Sequence, residues 1–102
     1  MTHVEIGSAA QKDLRKVFRT PAGRAVKRVI LEDLSAERWP DNLDVVSLEG
    51  LGDWLRVRIG EFRIVLRPLT AAECGALDVA RGYFVDRVVN RRDLERILKA
   101  YR

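Results

Sequence analysis

The 102-residue chain carries 19 Lys and Arg against 15 Asp and Glu, a net charge of +4, and 47% of its residues are hydrophobic. That length sets one domain, residues 1–102, with a single modest core, and that apolar content excludes an intrinsically disordered chain. One cysteine (Cys74) and one histidine (His3) exclude an internal disulfide and a Cys/His zinc site, so neither metal nor cofactor is expected; no apolar run is long enough for a membrane span, and the first residues, MTHVEIGSAAQKD, lack a signal core, so a cytoplasmic location is expected.

In chain order, residues 2–7 alternate Val4 and Ile6 with His3 and Glu5, which predicts a first strand. Ser8 opens an S-x-x-Q pattern with Gln11, a capping box at the start of a helix whose apolar stripe is Ala10, Leu14, Val17 and Phe18. Thr20-Pro21 reads as a second helix start, with Thr as N-cap and Pro at the first helical position. Its stripe is Ala22, Val26, Val29, Ile30 and Leu34, so the two helices form an αα-hairpin expected to pack antiparallel. Trp39-Pro40 ends it, and Trp39 is expected to anchor the following loop on the helices. A second strand is expected over 45–48, and 49–53 turns into the next segment.

Residues 54–68, WLRVRIGEFRIVLRP, read as a β-hairpin around Gly60-Glu61. Gly first in a two-residue loop suits a type II′ turn, where that position needs φ > 0. The turn sets Ile59 opposite Phe62, Val57 opposite Ile64 and Leu55 opposite Leu66, all apolar and facing a core. The other face pairs Arg58 with Arg63, Arg56 with Val65 and Trp54 with Arg67. Like charges directly opposite are unfavourable, so four arginines on one face point to an anionic partner; the alternative is a solvated outer face. Within 70–81, Thr70-x-x-Glu73 is a further capping box, but Gly75 weakens any helix, leaving a short helical turn or a loop. A last strand is expected over 83–89, apolar enough to be central. Asn90 caps a final helix with Leu94, Ile97, Leu98 and Tyr101 on one face. The fold class is α+β: a small, mostly antiparallel sheet, with the helices packed on one side, an N-terminal αα-hairpin and a C-terminal helix.

Charge is unevenly distributed. Residues 54–68 carry +3 and residues 87–102 carry +4, while the remainder carries −3. If these two blocks are neighbours, they make one patch suited to phosphates or to an acidic protein.

The stretch SLEGLGDWLRVRIGEFRIVLRP resembles the central β segment of RelE/ParE-type toxins of bacterial toxin–antitoxin systems. RVVNRRDLERIL is similar to their closing segment, and VEIGSAAQKDLRKV to their leader. The resemblance runs in order over nearly the whole chain. It implies a RelE-like toxin, a metal-independent endoribonuclease that cuts mRNA on the ribosome with the 2′-OH as nucleophile, or a ParE-like non-catalytic inhibitor of DNA gyrase, or a degenerate, non-toxic member. It further implies a cognate antitoxin that binds the sheet or the αα-hairpin through an amphipathic helix or an added strand. Carried over, Arg63 and Arg92 are the candidate catalytic residues. Arg56, Arg58, Arg67 and Arg91 are the candidate nucleic-acid contacts. Where nucleolytic members place a Tyr or a His near the C-terminus, this chain has Leu98 and Asn90. Tyr101, His3 and Glu61 are the remaining candidates for proton transfer.

Overall fold

The computed structural model describes residues 2–102. Five strands, β1 (His3–Ile6), β2 (Val45–Ser47), β3 (Leu55–Ile59), β4 (Phe62–Pro68) and β5 (Gly82–Asn90), form one sheet in the order β1-β5-β4-β3-β2. The β2–β3, β3–β4 and β4–β5 ladders are antiparallel, whereas β1 pairs β5 in parallel, His3 beside Gly82 through Ile6 beside Val85. The sheet is therefore mixed, not mostly antiparallel as the sequence suggested. A long return path lets the first strand run alongside the last, and alternation within a strand does not encode its partner's direction.

The hairpin register is the one its turn dictates. Leu55–Leu66, Val57–Ile64, Ile59–Phe62, Arg56–Val65 and Arg58–Arg63 are all paired. Gly60 has φ 54° while Glu61 does not enter the positive-φ region, the combination a type II′ turn requires.

Helices α1 (Ser8–Val17) and α2 (Gly23–Arg28) lie on the apolar face, and α2 continues into a π-helical turn, Val29–Asp33. Ala10, Leu14, Val17, Val26, Val29, Ile30 and Leu34 meet Val57, Ile64, Leu66, Val85 and Val88 in the main core. The two expected caps are built differently. Gly7, not Ser8, is the N-cap of α1, and Gln11 Nε2 donates to the Ile6 carbonyl at 2.9 Å. Thr20 Oγ1 donates to the Val17 carbonyl at 2.6 Å, closing the end of α1 instead of opening α2. The chain turns instead at buried Gly23, where a Cβ would lie 2.6 Å from the Val17 carbonyl oxygen and 2.7 Å from Phe18 Cα. Trp39 anchors its loop as expected: Nε1 donates to the Leu34 carbonyl at 3.2 Å, and its ring stacks on Tyr83 with centroids 4.5 Å apart. The capping box at 70–73 is satisfied in both directions and nucleates α3 (Ala71–Leu77) in spite of Gly75.

The other face of the sheet is not free of helix, which corrects the expectation of helices on one side. A 3₁₀ turn, Arg91–Asp93, leads into α4 (Leu94–Leu98). Leu98 and Leu51 bury Val65, the one apolar residue among the arginines of β4. This small second core pins the C-terminal segment across the sheet and leaves the hairpin end of the same face uncovered. At the opposite margin β1 stops at Ile6, so β5 is unpaired on that side beyond Val85. Asp13 from α1 fills the gap, accepting from the Val88 backbone N–H at 2.9 Å and bidentately from Arg87 at 2.8 and 3.1 Å.

Gly23→Ala is expected to lower the unfolding free energy by about 1–3 kcal/mol, because the added methyl has backbone on two sides and nowhere to turn. The better helix propensity of Ala, worth up to about 1 kcal/mol, acts in the opposite direction and is the smaller effect. Urea denaturation measures the difference; an unchanged or raised midpoint would show that the α1–α2 junction yields.

Candidate anion-binding face

The alternation of β3 and β4 puts Arg56, Arg58 and Arg63 on the face opposite the main core. Arg63 is fixed at the turn by its own strand end. Both protons of Nη1 are used, on the Gly60 carbonyl at 2.8 Å and the Phe62 carbonyl at 2.9 Å, which leaves Nε and Nη2 to meet a ligand. The C-terminal segment joins the hairpin through its backbone: Arg91 N–H donates to the Glu61 carbonyl at 2.7 Å, and the Asn90 side chain caps the turn by accepting from Arg92 N–H at 3.1 Å. Arg91 is thereby brought to Arg63. Burial first, then the positive charges of Arg58, Arg56 and Arg91, push the Arg63 guanidinium below its ordinary value, with Asp44 opposing. It stays cationic at neutral pH. The two basic blocks of the sequence thus meet in one cluster.

Asp44, just before β2, is the acid of this cluster, and sequence reasoning passed it over as loop. Its carboxylate lies 3.6 Å from Arg56 Nη1 and 4.0 Å from Arg58 Nη1, and its carbonyl extends the β2–β3 ladder by accepting from Arg58 N–H at 3.0 Å. The legible signal was its position, one residue before a strand that pairs with β3, which carries Arg56 and Arg58.

Arg67 stands apart from the cluster. It makes a bidentate pair with Glu73 of α3 at 2.7 and 3.0 Å and lies over the rings of Phe84 and Trp54, 4.8 and 5.7 Å from their centroids. Its hydrogen bonds to Glu73 raise its pKa. Arg92 also points elsewhere. It borders an open groove with Lys16, Thr20, Phe62, Asn90 and Arg96, so the two candidate catalytic arginines occupy different surroundings.

The candidates for proton transfer are dispersed. His3 sits on β1, at the far edge of the sheet, 3.0 Å from Glu5. Tyr101 donates a short hydrogen bond to Asp86 and stands edge-on to Trp54 with centroids 4.7 Å apart; burial and that acid push its phenol well above the ordinary range. Glu61 is exposed at the hairpin turn. Among the described residues no group of three or more His, Cys, Asp or Glu could hold a metal ion, and no helix is long and apolar enough to cross a membrane.

With this geometry in hand, the comparisons are specific to fold. Two solved structures superpose on nearly the whole chain. A chain of the RelB–RelE antitoxin–toxin complex from Methanococcus jannaschii matches with a TM-score of 0.65 and 18% identity, over 91% of this chain and 96% of that one. A chain of the RelBE2 toxin–antitoxin complex from Mycobacterium tuberculosis matches with a TM-score of 0.61 and 24% identity, over 88% and 98%. The chain has the fold found in these complexes. No family model matches it, and no curated protein does. What these chains share with this one is the arrangement of sheet and helices.

The Arg67–Glu73 pair makes a pH prediction. Hydrogen bonds from Arg67 and from Thr70 N–H hold the Glu73 carboxyl at about 2, below its ordinary 4.5. The folded value is the lower one, so the pair's stabilisation is present above about pH 4.5 and is lost as pH falls toward about 2. Wild type is expected to be more stable than Glu73→Gln near neutral pH, and the gap to close across that window. A gap independent of pH in chemical denaturation would contradict this.

Proposed function

We propose that the chain is the toxin of a type II toxin–antitoxin pair and acts as a RelE-like, ribosome-dependent mRNA endoribonuclease. The observation that carries the reading is the Arg56–Arg58–Arg63–Arg91 cluster, held on an open sheet face where like charges repel. The fold similarity to RelB–RelE complexes supports the same reading. Arginine forks match phosphate oxygens, and cations fixed around a phosphorus stabilise the charge that grows there during transesterification. In the proposed reaction the ribose 2′-oxygen attacks the adjacent phosphorus and the 5′-oxygen leaves, giving a 2′,3′-cyclic phosphate and a 5′-hydroxyl. The 2′ proton passes to solvent and the leaving oxygen takes one from it. Arg63 stabilises the pentavalent state, and Arg56, Arg58 and Arg91 hold the flanking phosphates. Arg92, one residue beyond Arg91, guides the strand toward the groove beside Lys16. The antitoxin covers exposed apolar residues of the helical face, of which Phe18 and Leu31 are the largest.

A second reading has a specific observation in its favour. The ionisable groups that bear on Arg63 are three arginines and Asp44, and Tyr101 is engaged by Asp86, so the cluster is equipped for binding more plainly than for proton transfer. A protein without acid–base help worth about 10²–10⁴-fold would act by binding alone, as a gyrase inhibitor does.

Arg63→Ala is expected to leave the circular dichroism spectrum unchanged and to reduce mRNA cleavage by about 10²–10³-fold, the usual effect of removing one charge-stabilising donor. Primer extension on mRNA after controlled expression measures it. Growth arrest with intact mRNA, together with loss of gyrase supercoiling activity, would establish the second reading in place of the first.

A further inference from the structure

Arg56 is less exposed than its strand neighbour Arg58, with 20% of its side chain in contact with solvent against 57%. Its Nη1 is buried and finds no hydrogen-bond acceptor. The nearest carboxylate oxygen, on Asp44, stands at 3.6 Å, and the other oxygen of the same group at 4.0 Å from Arg58. Both separations are too long for a hydrogen bond. A single carboxylate thus spans two guanidiniums without satisfying either. Asp44 cannot approach more closely by moving its backbone, because its carbonyl is committed to Arg58 N–H. Its side chain, by contrast, is 45% exposed and can swing into solvent.

We propose that Asp44 is an internal counter-ion occupying the place of a phosphate between Arg56 and Arg58, and that a phosphodiester must displace it to bind there. This rests on the anion-binding reading above and adds a specificity element to it. With Asp44 in place the Arg56–Arg58 subsite is partly neutralised, so an isolated weak anion gains little there. A nucleic-acid strand, whose neighbouring phosphates engage Arg63 and Arg91 at the same time, holds the subsite long enough to displace the carboxylate. Asp44 therefore biases the face toward strands over single small anions. When it swings away, the orphaned Nη1 gains the acceptor it lacks.

Fluorescence anisotropy with a short labelled single-stranded RNA, read at low and at physiological ionic strength, tests this. Asp44→Asn is nearly isosteric and keeps the backbone bond. It is expected to bind the RNA roughly three- to fivefold more tightly at low salt, the size of effect a partly exposed ion pair carries, with a smaller gain at high salt. Inorganic phosphate, used as competitor, is expected to displace RNA from Asp44→Asn at lower concentration relative to its RNA affinity than from wild type. Asp41→Asn makes the same change in net charge at a neighbouring, almost fully exposed acid paired only with Arg38, and is expected to change binding much less. The gain from Asp44→Asn is expected to vanish in an Arg56→Gln background whose thermal melt matches that of Arg56→Gln alone. Equal effects of Asp44→Asn and Asp41→Asn, or a gain that survives Arg56→Gln, would overturn the displacement model in favour of a general field effect. Tightening toward poly-glutamate without tightening toward RNA would overturn it in favour of an acidic polypeptide ligand. If Arg63→Ala binds RNA as wild type does, the anion-binding reading itself fails; if Arg63→Ala weakens binding but Asp44→Asn equals wild type, only the counter-ion role fails.

Discussion

The register of the β3–β4 hairpin is the constraint on which the rest depends. Gly60 supplies the positive-φ conformation with which a two-residue loop joins the strands, and the pairing that follows sorts every side chain of both strands to one face or the other. A slip by one residue would send arginines into the core and the six apolar partners into water. The energies are unequal. Each buried apolar side chain contributes about 1.5–3 kcal/mol, while the facing Arg58–Arg63 pair costs at most about 1 kcal/mol. Burial decides the register, and the repulsion among the arginines is carried along with it.

Charge is then divided by what each arginine meets. Arg67, Arg87 and Arg96 are matched with Glu73, Asp13 and Asp93, and the first two of these pairs do structural work: one docks α3 against the sheet, the other seals the part of β5 that β1 leaves unpaired. Arg63 and Arg91, and Arg92 beyond them, have no ion pair among the described residues, and Arg56 and Arg58 share one distant carboxylate. Among the arginines of the sheet, those without an acid at hydrogen-bond distance therefore lie at the hairpin end of one face, the end that α4 leaves open. α4 itself is held elsewhere on that face by Leu98 on Val65 and by the Tyr101–Asp86 bond. A structural core and an open arginine face share one side of a single sheet.

How much of this was legible depends on distance along the chain. The hairpin register, the capping box at Thr70 and the Asn90 cap are local, and each rests on a turn or a spacing that a few residues specify. The parallel β1–β5 pairing joins the two ends of the chain, and no short pattern encodes it. The expected cap at Thr20 was misread for a related reason: a hydroxyl beside Pro can accept from the following helix or donate to the preceding one, and the buried contact of Gly23 with the end of α1 settles which. The placement of α4 did leave a trace. Val65 is an apolar residue in an otherwise basic register, and something had to cover it. In the candidate site the arginines were legible as a face, but their partners were not. Asp44, Glu73 and Asp13 decide which arginines remain available, and each acts through a contact that only the folded chain creates. Arg67 accordingly leaves the cluster and Arg92 turns to the groove, while Arg91 joins Arg63.

The central claim is that the open end of the arginine face takes up phosphate groups of a nucleic-acid strand. The most direct measurement is a titration of isotope-labelled protein with short single-stranded RNA, followed through the backbone amide and arginine Nε–H resonances. The account predicts shifts at Arg56, Arg58, Arg63 and Arg91 with their neighbouring turn residues, little change at Arg67 and Arg87, and a response that weakens steeply with salt. Shifts confined to β1 and α2, or none at the hairpin at saturating RNA, would contradict it.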